Sequence, residues 1–313
     1  MREAVFVKRN TPKWQDYEQS SAQNPDELTD QYIELTDDLS YARTFYPNAA
    51  VTQYLNNLAT TKHQQLYANK TEDRNRFVSF WAVELPVVVR QNHQKLLYSL
   101  LFFLAAALIG AVSAANDETF VRLILGDGYV NQTLENIRKN DPMAIYKSGS
   151  QADMFLGITF NNIKVSFIAF VAGLLFSVGT VYLLFSNGVM LGAFQYFFFQ
   201  KGVLLKSVLA IWIHGTLEIS AIVIAGAAGI VLGNSLLFPK TYSRLVSFQR
   251  GAKDGLKMAV GLVPIFITAG FLESFVTRLP LHPVVSFSII AVSAGFIGWY
   301  FIIYPIRVSR QID

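Results

Sequence analysis

The chain has 313 residues, of which 52% are hydrophobic and 15% are charged, and its formal net charge is +4. Soluble domains carry charge on about a quarter of their residues, so this composition excludes an ordinary water-soluble globular protein. The positive charge is small and scattered, which argues against nucleic acid as a partner. The chain has no cysteine, which excludes disulfides, thiolate metal sites and cysteine nucleophiles.

The first 95 residues form a polar stretch of mixed charge. Apolar side chains recur there at helical spacing, as at Leu28, Leu35 and Leu39, and no alternating strand pattern is present. We therefore predict a cytoplasmic helical region, residues 1–95, of three or four amphipathic helices. Because it carries no catalytic motif, the favoured interpretation is a packed scaffold without its own activity.

Residues 96–313 are dominated by apolar runs long enough to cross a bilayer. The predicted fold is all-α, a polytopic helical membrane domain of about six spans. The predicted spans cover 96–115, 165–185, 189–213, 217–237, 258–275 and 284–304, with an outer loop at 116–163. The third span is irregular because Gln200, Lys201 and Gly202 interrupt it, and it either crosses once or forms a re-entrant element.

Basic residues cluster in three segments outside the predicted spans. One segment precedes the first span, one separates the fourth span from the fifth, and one is the C-terminal tail. Since basic residues favour the cytoplasmic side, we predict a multi-pass protein of the bacterial inner membrane with both termini in the cytoplasm. This charge count also favours a single crossing for residues 189–213. The basic residues are Arg90, Lys95, Lys240, Arg244, Arg250, Lys253, Lys257, Arg307 and Arg310.

Several polar residues lie in or beside the predicted spans. His214 and Glu218 are four residues apart, which places them on one face of a helix. Ionisable side chains at membrane depth are costly unless paired, so they are functional candidates. The predicted topology brings both near the outer leaflet with Glu273 and His282. The remaining members of this predicted polar cluster are Asn161, Asn162 and Asn187.

The chemistry of this cluster leaves three alternatives open. Imidazole and carboxylate are zinc ligands, which makes His214, Glu218 and Glu273 candidate metal ligands. The chain has no HExxH motif and no Gly-x-Ser-x-Gly elbow, so no catalytic residue is assigned and no cofactor is predicted. The favoured interpretation is a hydrogen-bonded network that holds helices in register. The alternatives are a transport or proton path and a metal or hydrolytic centre.

Glycines recur within the apolar segments at the spacing of helix-packing motifs. Small residues four apart let helix backbones approach closely. We predict tight packing within the chain at these positions, and the same helices would form the interface of any homodimer. The residues are Gly188, Gly192, Gly226, Gly229 and Gly233.

Three stretches of the membrane region resemble the stage II sporulation protein M family (SpoIIM, also called the DUF95 membrane proteins). They are Asn161-Asn162-Ile163-Lys164-Val165, His214-Gly215-x-x-Glu218 and Ala269-Gly270-x-x-Glu273-x-Phe275-Val276-Thr277. Asp37-Asp38-Leu39-Ser40-Tyr41-Ala42-Arg43 is similar to the longer members, which are not tied to sporulation. The resemblance covers most of the chain.

The resemblance implies a non-enzymatic membrane scaffold or anchor in a cell-envelope complex. In spore-formers the namesake acts with peptidoglycan-degrading proteins, and the longer relatives are often encoded near MoxR-type ATPases. The implied partners are therefore membrane lipids and other envelope proteins, including a MoxR-type ATPase system, with a homodimer as a further expectation. The alternative functions are a small-solute or ion transporter or channel and an intramembrane metal-dependent hydrolase.

Overall fold

All regular secondary structure in the described part of the chain is helical. The computed structural model describes residues 2–19, 25–68, 76–139, 141–142, 144 and 150–312. Two compact units are present, Met1–Phe77 and Val78–Asp313. Six helical segments of the second unit are long and apolar enough to span a membrane. The predicted all-α polytopic class is therefore confirmed.

The N-terminal unit contains α1 (Glu3–Gln19), α2 (Pro25–Phe45) and α3 (Ala50–Ala68). Its core is built from the apolar side chains that recur along these helices. The buried core residues are Phe6, Trp14, Leu35, Leu39, Ala42, Val51, Leu55, Leu58 and Ala59. The indole of Trp14 is fully buried and donates a hydrogen bond from Nε1 to Asp38 Oδ2 at 2.8 Å. This bond satisfies the one polar atom of the largest core side chain.

Two tyrosines of this unit provide a pH-dependent contribution to stability. Burial, together with hydrogen bonds to Glu34 and Glu18, raises the pKa of Tyr17 and of Tyr54 to about 12. The folded state therefore favours the neutral phenols. Their contribution to the free energy of unfolding is complete below the unfolded pKa of about 10 and is lost between pH 10 and 12, as the phenols ionise. We expect ultraviolet titration of a Tyr17→Phe/Tyr54→Phe variant to lack two high-pH transitions seen in the wild type. Titration of both phenols near pH 10 in the wild type would contradict this assignment.

A short segment leads from residue 76 into the membrane region. It consists of α4 (Arg76–Ser79), a π turn (Phe80–Glu84) and α5 (Leu85–Gln91). The hydroxyl of Tyr300 donates to the carbonyl of Trp81 at 2.7 Å, and Tyr304 donates to the carbonyl of Ala82 at 2.9 Å. Since these bonds and the buried Leu85 belong to the second unit, the unit boundary lies near residue 77 and differs from the predicted boundary at residue 95.

The membrane region continues through ten further α-helices in the described residues. A π segment (Trp299–Ile303) joins α14 to α15, and α12 continues into α13 through Leu262. With these connections, six long helical segments result. The helices are α6 (His93–Asn116), α7 (Glu118–Leu125), α8 (Asp127–Arg138), α9 (Gln151–Val171), α10 (Val178–Gln200), α11 (Leu204–Leu237), α12 (Arg244–Gly261), α13 (Val263–Phe271), α14 (Pro283–Gly298) and α15 (Tyr304–Ile312).

The helix bounds differ from the predicted spans between residues 151 and 213. The predicted span 165–185 crosses a break at 175–177, where Phe176 and Ser177 have φ values of 54° and 66°. The predicted span 189–213 crosses a second break at 201–203, where Gly202 has a φ of 70°. Residues 151–163, predicted as part of the outer loop, instead begin α9. The first break lies within an apolar run, so hydropathy alone did not reveal it, whereas the second coincides with the predicted interruption at Gln200, Lys201 and Gly202.

The predicted packing glycines lie at close contacts between helices of the same chain. Gly188 and Gly192 of α10 face the backbone of α6, and Gly229 and Gly233 of α11 face Thr180 and Ser177. Gly226 faces Leu184 and Ser99. A Cβ atom at any of these positions would overlap its neighbours, which is why glycine is required for the observed approach. These five positions therefore serve packing within the chain.

The contacts between helices define two ends of the bundle. Gly229 meets Thr180 and Gly233 meets Ser177, while Gly251 meets Ser235 and Gly255 meets Ala228. In both pairs the contacts move in opposite directions along the two helices, so α11 runs antiparallel to both α10 and α12. We call the end that carries 117–139, 201–203 and 277–282 the distal end, and the end that carries 175–177 and 238–243 the proximal end. A proximal cleft brings Lys95, Lys240 and Arg250 together, as expected of the predicted cytoplasmic side, although the side itself remains a prediction.

Candidate functional site

Two helical segments bring three ionisable side chains together inside the distal half of the bundle. His214 and Glu218 lie one turn apart on α11, and Glu273 lies in the π turn Leu272–Val276 that follows α13. One ligand atom from each side chain lies within 4.8 Å of the others. His214 Nε2 and Glu273 Oε1 are 4.0 Å apart. We call these three residues the triad.

The π turn determines where Glu273 lies. Its hydrogen bond runs from the amide of Thr277 to the carbonyl of Leu272 at 2.8 Å, one residue further along than in an α-helix. This inserts an extra residue into the helical turn and rotates the residues that follow Phe271, as π segments at functional sites commonly do. The side chain of Glu273 retains 14% of its accessible surface, whereas that of His214 retains 4%. The triad is therefore deeply placed but reaches the bundle surface at Glu273.

Two neutral side chains hold the triad from outside. Asn162 of α9 donates from Nδ2 to Glu218 Oε1 at 2.5 Å. Thr277 Oγ1 lies 3.0 Å from His214 Nδ1 and donates to the carbonyl of Leu272 at 3.1 Å. A hydroxyl has one proton to donate, so a Thr277 that donates to Leu272 accepts from His214 Nδ1. The Nε2 lone pair of His214 then faces the two carboxylates.

This arrangement gathers hydrogen-bond acceptors in an apolar setting. An unprotonated imidazole nitrogen and two carboxylates repel one another unless protons or a cation lie between them. Imidazole orientation by a neighbouring hydrogen bond to Nδ1 is also the usual preparation of a metal ligand. The triad is thus suited chemically to bind a small cation.

The dimensions of the triad fit a transition metal after a small contraction. Zinc–nitrogen and zinc–oxygen bonds are about 2.0–2.2 Å, so tetrahedral ligand atoms lie about 3.4 Å apart. The observed atoms lie within 4.8 Å, and side-chain rotation without backbone movement can close that difference. Three protein ligands leave one coordination position for water or substrate, as in catalytic zinc sites.

The other predicted members of the polar cluster have different positions. Asn162 joins the site through Glu218, whereas Asn161 is exposed on α9. Asn187 donates to the carbonyl of Leu183 within its own helix at 2.8 Å. The predicted convergence of His282 on the site is wrong, because His282 is exposed and caps α14, accepting from the amide of Val284. The chain leaves the helix before His282, which removes it from the face of Glu273.

Sequence reasoning did not find Thr277. Its hydroxyl contact with His214 depends on the π turn, and a π turn has no reliable sequence signal. The residue does follow Glu273 in the third family-like stretch, Ala269 to Thr277. Its place at the end of that stretch was therefore the available sequence indication of a role.

Comparison with known proteins gives two matches that together cover most of the chain. The family described as stage II sporulation protein M matches residues 99–278, and a domain of unknown function (DUF8413) matches residues 4–68. No curated protein and no solved structure matches the chain. The first match covers more than half of the chain and includes the triad, Asn162 and Thr277. This membrane protein therefore belongs to the SpoIIM family.

Proposed function

We propose that this protein is a metal-dependent membrane protein in which His214, Glu218 and Glu273 bind one divalent transition metal. The observation that supports the proposal is the convergence of three acceptor side chains from two helical segments, held from outside by Asn162 and Thr277. A mixed imidazole and carboxylate set suits zinc and its first-row neighbours. The sequence-based alternative of a metal centre thus gains support over a simple hydrogen-bonded network.

The coordination number suggests the class of chemistry. Structural zinc sites use four protein ligands, whereas catalytic sites use three and keep one position for water. A metal held by the triad would acidify that water and supply a nucleophile for hydrolysis. Glu273 reaches the bundle surface, which gives water or a substrate a direction of approach. The reaction class that we propose is metal-assisted hydrolysis within the membrane.

The first test is elemental analysis of the full chain purified without chelator. We expect about one equivalent of zinc or a related metal in the wild type and none in a His214→Ala/Glu218→Ala variant, because two of the three ligands are lost. His282→Ala is the matched control, since it removes an exposed histidine outside the triad. The control should retain the metal, and a chelator should lower the melting temperature of the wild type and of the control only.

Two results would reject the metal centre. Metal-free wild-type protein that regains none after dialysis against zinc would restore the hydrogen-bonded network as the explanation of the triad. Equal metal in the wild type and in the double variant would place the metal elsewhere. Metal uptake into proteoliposomes would instead favour the transporter alternative.

The N-terminal unit supports a second role, that of an anchor for envelope partners. It has its own core and lies apart in the chain from the triad. We propose that this unit recruits a partner, such as a MoxR-type ATPase, at the cytoplasmic face of the inner membrane. Crosslinking in native membranes tests this role, because contacts with partners should map to residues 3–68. Crosslinks confined to the membrane region would contradict it.

A further inference from the structure

We propose that a cleft at the distal end of the bundle binds an anionic lipid through its phosphate-bearing head group. The cleft lies between the start of α11 and the segment that connects the π turn to α14. We call it the distal cleft. This inference goes beyond the metal centre and does not depend on it.

The size and walls of the distal cleft suit an amphiphile. Its volume is about 530 Å³, within the range of about 300–1,000 Å³ that holds small-molecule ligands. One wall is formed by α11 and the other by the chain after Thr277, and most lining side chains are apolar. These apolar residues are Leu209, Ala210, Ile213, Leu279, Pro280, Leu281 and Pro283.

The charge of the cleft selects an anion. Lys206 of α11 and Arg278, which directly follows Thr277, both line it, and none of the described lining residues is acidic. One guanidinium nitrogen of Arg278, Nη2, also donates to Met154 Sδ. Two cations from different elements surround a phosphate better than one, and a guanidinium can bind phosphate with two parallel hydrogen bonds. An ammonium nearby adds a further attraction to an anionic head group.

The position of the cleft favours a lipid over a dissolved anion. Lys206 lies in the first turn of α11, and α14 begins at Pro283 beside the cleft, so both elements enter the membrane there. Cationic side chains at the ends of membrane helices lie at head-group depth. Beneath them the leucine and isoleucine walls can hold the first part of an acyl chain. Free phosphate would leave those walls without a partner.

The test compares lipids retained by the full chain in a neutral detergent. Native mass spectrometry counts bound phosphatidylglycerol against phosphatidylcholine, which differ in net charge. We expect the wild type to prefer phosphatidylglycerol and a Lys206→Gln/Arg278→Gln variant to lose this preference by about tenfold or more, since each cation near a membrane surface contributes to anionic-lipid binding. Lys201→Gln/Arg138→Gln removes equal charge from exposed distal positions and should keep the preference.

A second variant separates lipid binding from loss of folding. Ala210→Phe leaves the charge unchanged and fills the cleft, so it should also lose phosphatidylglycerol while keeping the wild-type melting temperature. Equal losses in both double variants would show a general surface attraction and overturn the proposal. Equal retention of the two lipids by the wild type would do the same. Displacement of the lipid by inorganic phosphate alone would assign the cleft to free phosphate instead.

Discussion

A Gly192→Leu variant is expected to fail to assemble its membrane bundle. A Cβ atom at Gly192 would overlap the carbonyl oxygen of Ala107 and lie 2.8 Å from the amide nitrogen of Ala111. The obstructing atoms are helix backbone, which cannot turn aside as a side chain can. Overpacking usually lowers the free energy of unfolding by about 1–3 kcal/mol and occasionally by more. We expect a loss at the upper end of this range, because a whole leucine side chain would lie between two helix backbones. The measurement is the yield of monodisperse protein on size-exclusion chromatography, followed by its melting temperature.

Gly295→Leu is the matched control for this substitution. Gly295 lies on α14, and outside the adjacent backbone of that helix no atom of the described residues lies within 4 Å of a Cβ built there. Leucine also has a higher helix propensity than glycine, so this variant should fold as well as the wild type or better. If Gly192→Leu assembles normally, the close approach of α6 and α10 is not required for the fold.

A Trp14→Ala variant is expected to unfold the N-terminal unit. Trp14 is 1% exposed and fills the centre of a core shared by three helices. Its removal leaves a large cavity and eliminates the hydrogen bond to Asp38, and Trp→Ala changes of this kind cost about 3–5 kcal/mol. A unit of this size has a total stability of roughly 4–12 kcal/mol. The loss thus equals the whole stability of the unit at the lower end of this range and is a large fraction of it elsewhere.

Hydrogen exchange resolves this effect by region. Amides of residues 3–68 should lose protection in Trp14→Ala, while those of the membrane helices keep it. Ile33→Ala is the control, because Ile33 is 51% exposed on α2 and contributes little buried area. Unchanged protection in the N-terminal unit of Trp14→Ala would show that its core does not depend on the indole.

The predictable part of the structure was the part determined by hydrophobic pattern. Long apolar runs indicated a helical membrane region, and the spacing of His214 and Glu218 indicated a shared helix face. The positive-inside count placed Glu273 at the same end as His214, and the structure brings them within reach of each other. These inferences succeeded because each depends on the periodicity or charge of a whole segment.

The remainder depended on local backbone geometry. The break before α10 uses left-handed φ angles at Phe176 and Ser177, residues that give no turn signal inside an apolar run. The contact of Thr277 with His214 depends on one added residue in a π turn. Hydropathy averages over many residues and cannot detect a change of this size. The site was therefore predictable in its ligands and not in the residues that orient them.

The parallel packing of α6 against α10 has a consequence for how the chain is made. Gly188 of α10 meets Phe103 and Ala106 of α6, and Gly192 meets Ala107 and Ala111. The contacts advance in the same sense along both helices, so the two helices run in the same direction and need α9 to return the chain between them. The ribosome delivers α6 long before its partner exists. Until α10 has entered the bilayer, the glycine face of α6 can be covered only by lipid or by another protein. Assembly of this bundle is consequently ordered, because this interface can close only after both α9 and α10 have been made.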